Sequence, residues 1–173
     1  KTLCRIIPCA EMVRFGKNGS DATSGAVRAA RAHTGRDMIA CCGYHGWQDW
    51  YIGTTTRNLG VPEAVRSLTV TFNYNDIASL QNLFAGHPLR IACVILEPVG
   101  LIPPENNFLE KVNNVAHENG ALVIYDECWT GFRWALGGAQ SYFNVTPDLA
   151  CFGKALGNGF PISAIVGRRE IME

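Results

Sequence analysis

The stretch IACVIL at residues 91–96, which ends at Glu97, decides the fold. Six consecutive apolar residues indicate a strand with both faces buried, because a strand with one wet face alternates apolar and polar residues. The run at 121–125 has the same character and ends at Asp126. Between the two runs, residues 108–119 place their apolar side chains at helical spacing. Buried strands that alternate with helices predict a mostly parallel sheet covered by helices on both faces.

The rest of the chain continues this alternation. Five further short runs have strand character: 12–15, 38–42, 68–72, 149–152 and 161–166. Helical patterns occupy 22–33 and 77–84. We therefore predict an α/β fold with a doubly wound, mostly parallel sheet of about seven strands. The length of 173 residues corresponds to one domain, 1–173.

Composition argues against several classes of protein. The formal net charge is +0, so nothing in the overall charge predicts nucleic-acid binding. No apolar run approaches the ~18 residues of a membrane span, and no basic-then-apolar leader is present. We expect a cytoplasmic protein with neither a membrane nor a nucleic-acid partner. Both ends of the sequence, Lys1 and Glu173, look cut, so we expect a large domain whose N-terminal segment and C-terminal small domain lie outside this sequence.

Seven cysteines are present, and no two are spaced as Cys-x-x-Cys, which argues against a zinc site. We interpret them as reduced residues that fill the core, and we predict no metal site. Cys128 has a chemical alternative, since it directly follows two acids and could be a nucleophile. Adjacent carboxylates raise the pKa of a thiol, which disfavours that role.

Polar residues gather where the predicted strands end. A doubly wound sheet binds its ligands beyond the carboxyl ends of the strands. Five clusters fall at those ends: Gly19-Ser20, Tyr44-His45, Glu97, Asp126-Glu127 and Lys154. Any one cluster could be a strand terminator or a cap, but five at one rim predict a ligand site.

The stretch at 18–22 predicts an anion site. A strand, a glycine turn, a hydroxyl and a helix start present free N–H groups and a favourable helix dipole to a phosphate. The side chain of Asp21 must then point away from the anion. The alternative is an ordinary helix cap by Ser20 or Asp21. Neither the P-loop ending Gly-Lys-Ser/Thr nor the dinucleotide motif Gly-x-Gly-x-x-Gly is present here.

Three further side chains suggest one cofactor. Tyr44 can stack on a planar ring or be a core residue. Asp126 ends a buried strand and needs a partner, such as a protonated ring nitrogen, an arginine or a backbone N–H. Lys154, among small residues, can form a Schiff base with an aldehyde or be a surface lysine. With the phosphate cradle, these groups are what pyridoxal phosphate requires.

Longer motifs point to a known family. The most specific are DECWTGFR at 126–133 and FGKALGNGFP at 152–161, and the others include MVRF at 12–15, YHG at 44–46, ILEP at 95–98 and TPD at 146–148. Together they resemble the large domain of class III (ω-type) aminotransferases of fold type I, closest to the glutamate-1-semialdehyde aminomutase subgroup. The stretch at 99–104 departs from the aminomutase pattern because it is short and lacks asparagine.

The resemblance implies a role for each rim residue. Lys154 is the Schiff-base lysine that also moves the substrate α-proton, and Asp126 bonds the pyridine N–H. These two are the implied catalytic residues. The implied cofactor-binding residues are Gly19, Ser20, Tyr44, His45, Glu97, Asp126, Cys128 and Lys154.

Individual contacts follow from the same resemblance. Gly19 and Ser20 hold the phosphate, Tyr44 stacks on one ring face, and Cys128 takes the position of a valine against the other face. Arg133 is implied to be structural, with a substrate carboxylate as its alternative partner.

Three functions fit these observations. The main expectation is a pyridoxal-phosphate-dependent transaminase, a homodimer that passes nitrogen from an amino donor to a carbonyl acceptor. The first alternative is glutamate-1-semialdehyde 2,1-aminomutase, which moves nitrogen within one substrate. The second is a non-catalytic nucleotide-binding α/β domain, which explains the phosphate cradle but not Lys154 together with Asp126.

Overall fold

A seven-stranded mixed sheet forms the centre of the computed structural model, which describes residues 1–173. The strands are β1 (Met12–Gly16), β2 (Met38–Cys42), β3 (Thr69–Thr71), β4 (Ile91–Leu96), β5 (Leu122–Asp126), β6 (Leu149–Phe152) and β7 (Ser163–Gly167). The helices are α1 (Leu3–Ile6), α2 (Gly19–Thr34), α3 (Asp49–Ile52), α4 (Glu63–Arg66), α5 (Ile77–Gly86), α6 (Phe108–Glu118), α7 (Ala139–Phe143) and α8 (Arg169–Met172). None of these helices combines the length and hydropathy that crossing a membrane requires.

Strand direction brings six strand ends to one edge of the sheet. The strand order is β1-β7-β6-β5-β4-β2-β3, and the neighbours from β6 to β3 are parallel. β7 is antiparallel to both β6 and β1. Since β1 is antiparallel to the reversed strand, it runs in the same direction as β6. The predicted mostly parallel sheet of seven strands is confirmed, with β7 as its one reversed strand.

The sheet buries both of its faces. Along β4, Val94 and Leu96 belong to one buried cluster, whereas Cys93 and Ile95 belong to a second. Apolar residues of α6 pack in the first cluster and those of α2 in the second. Because each face meets a helix layer, β4 carries no polar residue on either side, which is the continuous apolar pattern seen in the sequence.

Helix α2 begins three residues earlier than the sequence pattern predicts. Asn18 is its N-cap and accepts from the N–H of Asp21 over 2.9 Å, while the Asp21 carboxylate accepts from the N–H of Asn18 over 3.2 Å. This reciprocal pair is a capping box. The N-cap is therefore Asn18 rather than Ser20 or Asp21, although the Asp21 side chain completes the capping box. Gly19 and Ser20 lie in the first turn of the helix.

Candidate active site

A cavity of about 210 Å³ opens at the carboxyl edge of the sheet. All eight residues singled out from the sequence line it: Gly19, Ser20, Tyr44, His45, Glu97, Asp126, Cys128 and Lys154. Gly46 and Gly153 complete the lining. The lining follows or ends five different strands, so the whole sheet, rather than one local segment, assembles this cavity.

The first turn of α2 forms one wall of the cavity. The N–H groups of Gly19 and Ser20 have no acceptor within the helix, because the first N–H groups of any helix lack one. The carboxylate of Asp21 turns back to accept from the N–H groups of Lys17 and Asn18, over 3.1 and 3.2 Å. The expectation that Asp21 points away is confirmed, and this wall can hold an anion.

Gly46 allows the segment after β2 to lie directly against Ser20. Its φ is +107°, and a β-carbon there would lie 2.1 Å from the hydroxyl oxygen of Ser20. The N–H of Trp47 donates to the same hydroxyl over 3.3 Å. A side chain at position 46 would force the two segments apart, so this close approach requires glycine. The predicted site residues omit Gly46, since no local signal shows which distant residue a turn glycine meets.

Asp126 is buried, and its carboxylate is held from two sides. Oδ1 accepts from the N–H of Cys128 over 3.1 Å, and Oδ2 lies 2.9 Å from Nδ1 of His45. His45 is 1 % exposed, and its Nε2 lies 3.1 Å from the carbonyl oxygen of Cys42, which can only accept, so Nε2 carries a proton. A second proton then lies between Nδ1 and Asp126, because two bare acceptors would repel. A carboxylate offers about four acceptor positions, so Asp126 can accept another donor from the cavity.

Glu97 fixes the backbone that carries Tyr44. Its Oε2 accepts from the N–H of Tyr44 over 3.0 Å. Gly43 has a φ of +105°, and a β-carbon there would lie 2.7 Å from the same oxygen. Tyr44 is 60 % exposed, and its ring meets that of Tyr51 edge-on with centroids 5.5 Å apart. A ring that is 60 % exposed and meets one neighbour in a T-shaped pair keeps a face available for stacking.

Cys128 packs where two glycines approach it. A β-carbon at Gly19 would lie 3.0 Å from its Sγ atom, and one at Gly153 would lie 3.4 Å away. Burial, reinforced by the Asp126 carboxylate, raises the pKa of the Cys128 thiol far above its ordinary value. The thiol is therefore a small neutral part of the cavity wall, which argues against the nucleophile alternative.

Lys154 follows β6 and opens a 3-10 turn, Lys154–Leu156. Its φ of +43° lies in the left-handed region, which is uncommon for a residue with a side chain. The side chain lines the cavity and carries Nζ to 5.9 Å from the centroid of the Trp129 ring. Lys154 and Asp126 therefore share one cavity, as the sequence predicts.

Glu127 does not belong to the site, although the sequence places it at the rim beside Asp126. Its side chain is fully buried and accepts from the Thr130 hydroxyl and from the N–H groups of Ala139 and Gln140, the latter two over 2.8 and 2.9 Å. Burial raises the pKa of this carboxyl group. Successive residues of an extended chain face opposite ways, so Asp126 lines the cavity while Glu127 anchors α7.

Comparisons with known proteins agree with this architecture. Residues 1–173 match the family described as aminotransferase class-III. A 3-aminobutyryl-CoA aminotransferase from Cloacimonas acidaminovorans is 42% identical over 179 residues, covering 100% of this chain and 42% of that protein. A glutamate-1-semialdehyde 2,1-aminomutase from Methanothermobacter thermautotrophicus is 46% identical over 182 residues, covering 96% of this chain and 43% of that protein. A solved structure described as a transaminase with PLP bound has a TM-score of 0.91 at 32% identity, covering 98% of this chain and 43% of that one.

The chain belongs to the class III aminotransferases. The resemblance that the motifs suggest is confirmed, and the fold matches that of a pyridoxal-phosphate transferase large domain. The chain spans less than half the length of the curated relatives it matches.

Proposed function

We propose that the protein containing this chain is a pyridoxal-phosphate-dependent aminotransferase, which transfers an amino group from an amine or amino acid donor to a carbonyl acceptor. The observation that carries the proposal is that Lys154 and Asp126 line one cavity together with Gly19 and Ser20. A primary amine, a buried carboxylate and an anion cradle complement the aldehyde, the ring nitrogen and the phosphate of that cofactor. The solved relative with PLP bound supports the same assignment.

The cavity fits the cofactor part by part. The free N–H groups of Gly19 and Ser20, at a helix N-terminus, would hold the phosphate. The spare acceptor capacity of Asp126 would take the ring N–H. Tyr44 and Cys128 would cover the two faces of the ring. The tight contact between Gly46 and Ser20 shapes the phosphate end, where a β-carbon would intrude.

The chain's own residues would then perform the proton chemistry. When bound, pyridoxal phosphate supplies an aldehyde that takes up an amino group and a ring that withdraws electrons. Asp126, held in place by His45, would accept a hydrogen bond from the ring N–H and so favour the protonated ring. Lys154 would hold the cofactor through its aldehyde. Its Nζ, when free, would take and return the proton of the carbon that bears the substrate nitrogen.

A visible absorption spectrum of the purified full-length protein tests the lysine. We expect an absorption band from the covalently held cofactor, and Lys154→Ala abolishes it. Lys111→Ala is the matched control, because Lys111 is an exposed lysine on α6, away from the cavity. A band that survives in Lys154→Ala would contradict the assignment.

Glutamate-1-semialdehyde 2,1-aminomutase is the second candidate, and the 46% identity to a protein of that name favours it. The two reactions would use the same residues. Turnover of the semialdehyde with no second amino acid or oxo acid would select the aminomutase. Amino transfer between two separate substrates would select the transaminase. Binding of a nucleotide without binding of pyridoxal phosphate would select the non-catalytic alternative.

Assembly and location belong to the same proposal. We infer a homodimer, and light scattering of the full-length protein would show two chains if this is correct. We infer a cytoplasmic location from the seven free cysteines, most of them buried, since oxidising compartments favour disulfides. Small-molecule donors and acceptors are the only other partners that we propose.

A further inference from the structure

A tight turn that follows Lys154 projects an asparagine–glycine pair into solvent. The N–H of Phe160 donates to the carbonyl of Gly157 over 3.0 Å, so Asn158 and Gly159 are the two central residues of the turn. Their φ angles are +44° and +103°, both positive as in a type I′ turn. Both residues are exposed, and a β-carbon at Gly159 would meet nothing within 4 Å.

The groups of this pair that can react with each other are free. The hydrogen bond of the turn joins its two outer residues, so the N–H of Gly159 donates to no acceptor in the chain. The side-chain amide of Asn158 makes no hydrogen bond either. Glycine has no side chain to shield its own nitrogen. The backbone nitrogen of Gly159 can therefore reach the side-chain amide carbon of Asn158 without breaking any contact.

Two other asparagine–glycine pairs occur in the sequence, and hydrogen bonds hold both. The side chain of Asn18 caps α2 and accepts from the N–H of Asp21 over 2.9 Å. Asn119 donates a side-chain N–H to the carbonyl of Val115 over 2.8 Å, and the N–H of Gly120 also donates within the chain, over 2.9 Å. A reaction within either pair must first release these hydrogen bonds, which the exposed turn does not require.

We propose that Asn158 is a site of spontaneous deamidation, at which the chain gains a carboxylate in the turn that follows Lys154. The nitrogen of Gly159 attacks the side-chain amide carbon of Asn158. A C–N bond forms, the bond to the side-chain NH₂ group breaks, and ammonia leaves with the proton from Gly159. Water then opens the resulting five-membered succinimide at one of its two carbonyls, which gives aspartate or isoaspartate.

The modification would change the backbone next to Lys154. The N–H groups of Gly157 and Asn158 both donate to the carbonyl of Lys154, over 3.1 and 3.2 Å. Either product adds a negative charge to this turn. Isoaspartate also inserts one carbon into the backbone after position 158, which enlarges the ring that the Phe160–Gly157 hydrogen bond closes. The inference concerns the chain itself and does not depend on the proposed amino transfer.

The experiment incubates the full-length protein with its cofactor in warm, mildly alkaline buffer and follows the loss of each amide by peptide mapping and mass spectrometry. Asn18 and Asn119 are controls within the same molecule. The same protein unfolded in urea is the reference, because unfolding frees all three pairs. Isoaspartyl methyltransferase with labelled S-adenosylmethionine detects the isoaspartate product.

We expect Asn158 in the native protein to lose its amide at least about tenfold faster than Asn18 or Asn119, the factor that corresponds to releasing the hydrogen bonds of those two pairs. In urea the three rates should become similar. Asn158→Gln should abolish methyl labelling at this turn, because a glutamine would have to close a six-membered ring. Asn114→Gln is the matched control, since Asn114 is an exposed asparagine on α6 that valine follows, and it should leave the labelling unchanged.

The inference fails if Asn158 in the native protein keeps its amide as long as Asn18 and Asn119 do, although it loses it in urea. It also fails if the label persists at this turn in Asn158→Gln. The melting temperature shows that each variant is folded. A protein that is modified at Asn158 but transfers no amino group would overturn the proposed function alone.

Discussion

Nδ1 of His45 lies 2.9 Å from Oδ2 of Asp126, and both side chains are buried. The two residues follow or end strands β2 and β5, which are separated in the sheet by β4. An unpaired carboxylate in this position would be costly because burial removes its hydration. His45 therefore makes it possible for an acid to sit beneath the cavity and still face a cofactor with its remaining acceptor positions.

Replacing His45 should destabilise the fold. His45→Phe keeps a planar ring but removes the partner of a buried carboxylate, and we expect the free energy of unfolding to fall by about 3 kcal/mol. Urea denaturation followed by circular dichroism measures this. His33→Phe, on the exposed side of α2, should change the free energy by no more than ~0.5 kcal/mol.

A double-mutant cycle separates the pair from simple loss of packing. In the background of Asp126→Ala, His45→Phe should cost less than it does alone, with a coupling energy of about 0.5–3 kcal/mol. Strictly additive losses would show that the short His45–Asp126 contact contributes nothing of its own.

Gly46 and Gly60 allow a clash to be distinguished from backbone strain. Both have positive φ, +107° and +86°, but a β-carbon at Gly60 meets nothing within 4 Å. We expect each alanine variant to lose about 1–3 kcal/mol of stability from strain. Only Gly46→Ala should also lower the affinity for pyridoxal phosphate, by at least about tenfold. The reason is that its β-carbon would displace the side chain of Ser20. A titration of the cofactor-free protein measures the affinity, and equal affinities in both variants would contradict this account of the cradle.

Much of the candidate site follows from local sequence because a parallel sheet collects its strand ends. Once residues 91–96 and 121–125 are recognised as buried strands, Glu97 and Asp126 must lie at one edge. The motif at Lys154 adds the amine, and the structure brings all eight candidates to one cavity. Their individual roles remain predictions that the variants above test.

The features of the site that the sequence does not predict depend on contacts between segments that are distant along the chain. No periodicity shows that His45 reaches Asp126 or that Gly46 meets Ser20, since each contact depends on how two loops cross above the sheet. The prediction that places Glu127 at the ligand site is wrong. It relies on Glu127 being next to Asp126 in sequence, whereas successive side chains of an extended chain point to opposite sides. The start of α2 is misjudged because Asn18 caps through its side chain, ahead of the first apolar residue.

Thiol labelling tests the burial of the cysteines. Cys4 is exposed, whereas Cys9, Cys41 and Cys93 are buried, and desolvation raises the pKa of each of those three thiols to about 12. Cys42 is half-buried, and burial raises its pKa to about 11. Among the seven cysteines of this sequence, we expect iodoacetamide near neutral pH to label one rapidly in the native protein. Mass spectrometry should locate the label at Cys4, and Cys4→Ser should remove it, whereas rapid labelling of Cys128 would contradict the neutral wall described above.

The buried carboxyl of Glu127 should give stability a particular dependence on pH. Burial raises its pKa in the folded protein above the ordinary value of 4.5. The folded state therefore holds the proton more tightly than the unfolded state, and stability falls as pH rises from 4.5 through the raised pKa. Glu127→Gln cannot ionise, and its amide N–H₂ must face one of the donors that Glu127 accepts from, at a cost of about 1–3 kcal/mol.

The difference in unfolding free energy between the wild type and Glu127→Gln isolates this one titration, because every other ionisable group is shared. We expect the wild-type advantage to be largest below pH 4.5 and to shrink at higher pH, as measured by urea denaturation at a series of pH values. Glu110→Gln, on the exposed side of α6, should show a difference that varies little with pH. A wild-type advantage that instead grows with pH would mean that the donors from Thr130, Ala139 and Gln140 outweigh desolvation and hold the carboxylate ionised.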